Sequence, residues 1–320
     1  MTNNLLWINK EQIQKHLSYE QMIRVLRQGF AELAEVPLRH HHTLGQSSDE
    51  FLLMPAWNKK IIAVKLITVY PENPALGLDA IGGVIVLFDR EHGQPLAMMD
   101  AGAITVIRTA AASALASSYL SRADSTSLLM VGAGALASHL IKAHLSVRNI
   151  NHVHVWARDQ NKTEKFVAQL SASMPHGVSL SVVDNLQKVV AESDIISMAT
   201  RATKPLIMGE WLSSGTHLDL VGSYRKDMRE VDNDAVCGAA LFADTKAGVL
   251  AEAGDIIIPI NDKVINENHI QAELSELCAG LHGGREQVGQ TTMFKSVGTA
   301  LEDLLAAKTI YEIIRSESKL

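Results

Sequence analysis

A doubly wound, parallel α/β sheet joined to a smaller α+β unit built from both termini is the fold this sequence predicts. Three observations carry it. From Ser125 onward, short apolar runs alternate with segments of helical spacing. Before that point, strand-like runs are joined by tight turns. Near the far end, an apolar segment of helical spacing returns, and it is expected to pack on the first unit. The expected domains are 1–118 with 299–320, and 119–298.

Taken in order, Lys10–Leu33 has apolar positions at helical spacing. Leu38–Leu44 and Glu50–Pro55 read as strands, and Ile61–Val69 alternates and is rich in β-branched residues. Tyr70–Leu78 carries Pro71, Asn73, Pro74 and Gly77, which mark a loop. Ile81–Asp89 is a strand that turns through Arg90-Glu91-His92-Gly93 into Gln94–Met99. Ala101–Ser121 is a long alanine-rich helix. The strands of the second part are Leu128–Val131, Val153–Trp156, Leu180–Val183, Ile195–Met198, His217–Val221 and Ala240–Ala243. Phe294–Ile314 reads as one long helix.

The first of these strands ends in Gly132-Ala133-Gly134-Ala135-Leu136-Ala137 and continues as a helix. This Gly-x-Gly-x-x-Ala turn is the Rossmann-type fingerprint of a dinucleotide site. Gly132 permits the tight turn, Gly134 lets backbone approach the pyrophosphate, and Ala137 is small enough for helix to pack on strand. The N–H groups around Ala135 and Leu136 then face an anion at a helix N-terminus. The following strand, His152–Trp156, supplies the βαβ context. At its end stands Arg158, which suits the 2′-phosphate of NADP(H). Asp159 behind it suits the ribose of NAD(H). NADP(H) is the expected cofactor, with NAD(H) as the alternative.

A net charge of −6 argues against a nucleic-acid partner, whose affinity would rest on a basic face. Cys237 and Cys278 lack metal-type spacing and are expected to be buried reduced thiols. On a strand, His40 and His42 share one face and His41 takes the other, with no acidic or thiol partner in view, so no metal site is expected. The N-terminus lacks a signal-peptide pattern. The apolar run 101–120 is interrupted by Arg108. A soluble, cytoplasmic protein without membrane contact is expected.

Three cations stand inside apolar elements of the first part: Arg39, Lys65 and Arg108. Each must snorkel, pair with a protein carboxylate, or await an anionic ligand. All three in one domain suggest a carboxylate-binding pocket.

The chain also resembles the ornithine cyclodeaminase/mu-crystallin family nearly end to end. The resemblance is carried by 65–70, Asn73-Pro74-Ala75-Leu76-Gly77-Leu78, 83–89, Gly93-Gln94-Pro95-Leu96-Ala97 and Ile107-Arg108-Thr109-Ala110-Ala111-Ala112-Ser113. Val221-Gly222-Ser223-Tyr224, Arg229-Glu230-Val231-Asp232 and Thr292-Met293-Phe294-Lys295-Ser296-Val297-Gly298 continue it. The resemblance implies a Rossmann domain, a substrate-binding domain and a homodimer. It implies that Arg39, Lys65 and Arg108 contact a substrate carboxylate. Thr200 would lie near the nicotinamide, and Val297 and Gly298 would close over the cofactor. Where cyclodeaminases carry an Asp for the amine of ornithine, this chain has Tyr224. The surrounding 225–230 looks more like the reductase members, although Asp227 stands close enough in sequence to reach in.

The resemblance therefore implies an NAD(P)H-dependent reductase of a cyclic imino acid. Its substrate would be Δ1-pyrroline-2-carboxylate, or Δ1-piperideine-2-carboxylate, with Tyr224 at the ring and either Lys65 or a water as proton donor. The alternatives are an ornithine cyclodeaminase, an open-chain amino-acid dehydrogenase, and a non-catalytic NADPH-binding protein.

Overall fold

The computed structural model describes residues 5–45 and 48–317. The chain divides into two compact units, residues 1–109 with 299–320, and residues 110–298.

The first unit holds β1 (Leu6–Ile8), α1 (Lys10–His16), α2 (Tyr19–Phe30), β2 (His40–Thr43), β3 (Glu50–Trp57), β4 (Ile61–Val69), β5 (Ile81–Asp89) and β6 (Pro95–Asp100). Its six-stranded sheet runs β1-β6-β5-β4-β3-β2. Strands β2 to β6 pair antiparallel, and β1 adds parallel to β6. The sequence reading missed β1, which at three residues is too short to show a period. Ile61, Ala63, Lys65, Ile67 and Val69 point to the buried face of β4, and the residues between them do not. Asn9 and Gln12 form a reciprocal capping box on α1, and Ser18 caps α2, which buries Met22, Ile23, Leu26 and Phe30. Asp100 accepts the Ala103 N–H at 2.7 Å, opening α3 (Ala101–Leu120). That helix is long and apolar enough to cross a membrane, yet most of it is buried inside the protein.

The second unit follows with β7 (Ser127–Val131), α4 (Ala137–Leu145), β8 (His152–Trp156), α5 (Gln160–Ser171), β9 (Ser179–Val182), α6 (Leu186–Glu192), β10 (Ile195–Met198) and β11 (His217–Leu220). It continues with α7 (Asn233–Gly238), β12 (Ala240–Ala243), α8 (Lys246–Glu252), α9 (Gly254–Asn261), β13 (Ile270–Glu273), α10 (Leu274–Cys278) and β14 (Thr292–Lys295). All eight strands are parallel, in the order β13-β12-β14-β11-β10-β7-β8-β9. The strand order reverses between β7 and β10, and doubly wound sheets bind ligands outside the carboxyl ends at such a reversal.

Two expectations need correction. Phe294–Ile314 is not one helix. Phe294 and Lys295 end β14, which lies between β11 and β12, and the helix α11 (Ala300–Glu317) starts only after Gly298, whose φ is 81°. All four β14 residues are buried, and a strand covered on both faces reads like a buried helix. Nor are the cysteines buried: Cys237 is exposed and Cys278 is half-buried, and neither forms a disulfide. Helix α11 belongs to the first unit, where it packs on β3, β4, β5 and α2.

Candidate active site

In the second unit, β7 runs into the glycine turn. Gly132 has φ 121°, and a Cβ there would sit 2.7 Å from the Ala199 carbonyl oxygen, so only glycine fits between β7 and β10. Gly134 is exposed, and a Cβ on it would project into open space. The turn therefore presents bare backbone on its outer side. Ala135 is exposed and Leu136 half-buried, and Leu136 precedes α4 without a side-chain cap. Ala137 is fully buried against the sheet. These residues fit a dinucleotide pyrophosphate: a wall-free approach, followed by a helix start without a side-chain cap at Leu136.

A cleft of about 360 Å³ lies beside the ends of β8 and β9, lined by Trp156, Ala157, Arg158, Gln160, Val182, Val183 and Asp184. Arg158 is exposed on its rim. Asp159 points elsewhere: its Oδ1 accepts the Lys162 N–H at 3.0 Å as the cap of α5. The adenosine half of a dinucleotide belongs on this side of the strand reversal and the nicotinamide half over β10 and β11.

On the β10 and β11 side the polar groups are buried. Thr200 donates its N–H and its hydroxyl to Glu230 Oε1, both at 2.8 Å. The Gly222 N–H donates to Glu230 Oε2 at 2.9 Å. Glu230 thus ties together the residues that follow β10 and β11. The Glu230 N–H donates in turn to Asp255 Oδ1 at 2.7 Å, and Lys295 Nζ stands 3.3 Å from Asp255 Oδ2. Glu230, Asp255 and Lys295 are all fully buried. Next to them, Asp244 Oδ2 accepts the N–H groups of Val297, at 2.9 Å, and Gly298, at 2.6 Å. Those two amides are therefore held by the protein, which fixes the loop after β14.

In the first unit, Lys65 on β4 and Arg108 on α3 come together at the start of α11. Lys65 Nζ lies 2.7 Å from Asp303 Oδ2. Arg108 donates from Nε to Asp303 Oδ1 at 3.1 Å and from Nη1 to Glu302 Oε2 at 2.5 Å. Lys65, Glu302 and Asp303 are each 1% exposed. Both carboxylates sit in the first turn of α11, where the helix dipole favours negative charge. Of the three fates open to a cation in an apolar run, Lys65 and Arg108 take protein carboxylates. Half-buried Arg39, just before β2, is close enough for its charge to act on Lys65. Burial and the Arg108 charge bring the Lys65 ammonium down to about 7, with Asp303 opposing them. A lysine so placed exchanges its proton near neutral pH.

The ornithine cyclodeaminase/mu-crystallin family profile matches residues 5–318. The chain belongs to this family. Within it, the chain is 38% identical to Delta(1)-pyrroline-2-carboxylate reductase of Colwellia psychrerythraea over 310 residues, which is 95% of this chain and 98% of that one. The solved Delta(1)-pyrroline-2-carboxylate reductase of Thermococcus litoralis, in complex with NADH and L-proline, superposes with a TM-score of 0.94 at 37% identity, covering 98% of each chain. An archaeal alanine dehydrogenase dimer with bound NAD follows at 27% identity and a TM-score of 0.90, covering 98% of this chain and 97% of that one.

Against the family pattern, Tyr224 is half-buried and packs on the apolar core of the second unit. Asp227 does not turn inward. It is exposed and forms a two-point ion pair with Arg225, at 3.0 and 2.9 Å. His40–Thr43 is an exposed strand, and His41 stands 3.5 Å from Glu50. Sequence reasoning missed Glu302, Asp303, Asp244, Asp255 and Lys295 as site residues. The signal for the first pair was present, two adjacent acids inside the apolar run Leu301–Ala307, and it is the same signal that singled out Lys65 and Arg108.

Proposed function

We propose that this protein is a nicotinamide-dependent reductase of cyclic imino acids, converting Δ1-pyrroline-2-carboxylate to L-proline. The observation that carries it is Lys65, a buried ammonium poised near neutrality among Arg108, Arg39 and Asp303. It suits a reaction in which an imine must gain a proton and its carboxylate must find cations. The relatives named for this reaction, and the absence of a carboxylate at Tyr224, support the same reading.

When bound, the reduced nicotinamide supplies the hydride to the imine carbon. Lys65 Nζ gives its proton to the imine nitrogen, so that C=N becomes CH–NH, and it regains a proton from solvent. Arg39 would hold the substrate carboxylate and fix the ring face presented, and Arg108 would take part only by sharing the guanidinium that Glu302 and Asp303 already hold. The glycine turn receives the pyrophosphate. The decisive assay follows reduced-nicotinamide absorbance with Δ1-pyrroline-2-carboxylate, Δ1-piperideine-2-carboxylate, and pyruvate plus ammonia, beside ammonia release from L-ornithine with NAD. Imine reduction without ornithine turnover is expected. Ornithine turnover without imine reduction would overturn the reading.

The preferred cofactor is NADPH, because Arg158 is exposed beside the β8–β9 cleft while Asp159 is engaged as a helix cap. Arg158→Ala should weaken NADPH relative to NADH by about 1–2 kcal/mol, a charge-assisted bond discounted for exposure. Titration of protein fluorescence with each cofactor measures this. Equal losses for both would remove the argument.

The working form is a homodimer. The outer face of the first unit's sheet carries Phe51, Leu53, Val64, Leu66, Val84 and Val86, apolar side chains left half-exposed in the single chain. A contiguous apolar face of this kind marks an association surface. Light scattering should report twice the 34.8 kDa chain mass, and Val64→Lys with Val86→Lys should halve it. A wild-type monomer at micromolar concentration would exclude the dimer.

A further inference from the structure

Glu230, Asp255 and Lys295 form a set of buried charges that the proposed chemistry leaves unused. It holds two acids and one base, all fully buried, at the carboxyl ends of the central strands. Of the three, Glu230 is the one that touches the backbone following β10 and β11. It receives the Thr200 N–H and hydroxyl and the Gly222 N–H. A Cβ on Gly222 would lie 2.2 Å from the Thr200 carbonyl oxygen and 2.4 Å from Glu230 Oε1, so the strand ends and the carboxylate are packed without slack. The strand order puts the nicotinamide half of a dinucleotide over these ends.

A nicotinamide ring is cationic when oxidised and neutral when reduced. We propose that Glu230 is a proton-linked positioning residue for the nicotinamide half of the cofactor, ionised beneath the oxidised ring and protonated beneath the reduced one. The inference rests on the nicotinamide reading of the second unit. The step is a proton exchange with solvent and involves no redox change in the protein. The charged groups packed against Glu230 are Lys295, from the end of β14, and Asp255, from α9; Thr200 and Gly222 bring only dipoles. Burial pushes the Glu230 carboxyl up to about 7, with Lys295 pulling it down and Asp255 pushing it up. The proton is therefore exchangeable under working conditions.

The sign follows from linkage. The oxidised ring favours ionised Glu230, so NADP⁺ binding should release a proton and strengthen with pH relative to NADPH binding. The ratio of the NADP⁺ dissociation constant to that of NADPH should fall about tenfold between about pH 6 and about pH 8. The 2′-phosphate is common to both forms, and its own titration cancels in the ratio. Calorimetry in buffers of different ionisation enthalpy should show more proton release with NADP⁺ than with NADPH. Glu230→Gln should bind both forms with a pH-independent ratio. Should that variant fail to fold, the wild-type ratio and proton count decide alone, and Thr200→Val, which removes one donor to the carboxylate, should move the midpoint upward. A flat wild-type ratio with equal proton release for the two forms would overturn the proposal, leaving Glu230 a purely structural tie while the cofactor reading stands. Failure to bind either dinucleotide would overturn both.

Discussion

Lys65→Met is expected to lower kcat/KM for imine reduction by about 10²–10⁴-fold, the usual contribution of a positioned general acid. Methionine matches the lysine stem in length and belongs in a buried strand position, so the fold should survive. The wild-type profile should be level on the acid side and fall tenfold per pH unit above about 7, where the Lys65 ammonium loses its proton. The variant should lack that limb. Stability gives an independent check. The folded-state value near 7 is below the ordinary lysine value of 10.5, so between them the unfolded chain binds more protons. Stability should therefore rise with pH across that window through Lys65, and this contribution should vanish in Lys65→Met. A variant as active as wild type would place the acid elsewhere.

Arg108→Leu should cost about 3–5 kcal/mol of stability, the scale for removing one partner of a buried ion pair. It would leave Glu302 with no Arg108 donor and Asp303 with Lys65 alone, all three nearly inaccessible to water. A loss of that size is a large part of the whole stability of an ordinary domain. Urea denaturation measures it, and the deficit should shrink as pH falls and the stranded carboxylates take up protons. Arg108→Lys should recover only part of it, because one ammonium cannot reproduce the separate Nε and Nη1 bonds. In either variant that keeps activity, the alkaline limb set by Lys65 depends on the charge left at position 108. It should move up when leucine removes the repulsion and move less with lysine. A loss below about 1 kcal/mol would mean that water reaches Glu302 and Asp303 in solution.

The fold class was legible because its signals were local. Alternating strands and helices between Ser125 and Ala243, and the glycine turn at 132–137, state a doubly wound sheet without any tertiary information. What stayed hidden depended on distant partners. Thr292–Lys295 is a strand because β11 and β12 flank it, and nothing within four apolar-flanked residues says so. Likewise Arg39, Lys65 and Arg108 stood out as cations in apolar runs, but the fate that Lys65 and Arg108 meet is decided by α11. Glu230 looked like part of a motif, and only the structure joins it to Thr200, Asp255 and Lys295.

Helix α11 also sets an order of events during synthesis. The sheet of the first unit leaves the ribosome early, with Lys65 on its core face. The carboxylates that receive Lys65 and Arg108 come from α11, and Arg108 and Asp303 are 195 residues apart in the chain. Until α11 emerges, Lys65 on the nascent sheet and Arg108 on α3 have no α11 carboxylate to meet them, and the sheet has a face with no α11 helix to cover it. The first unit to be translated is therefore the last to close. The contacts that complete it are among the most non-local in the protein, the kind that form slowly. During that interval its open sheet is the surface that chaperones would be expected to hold.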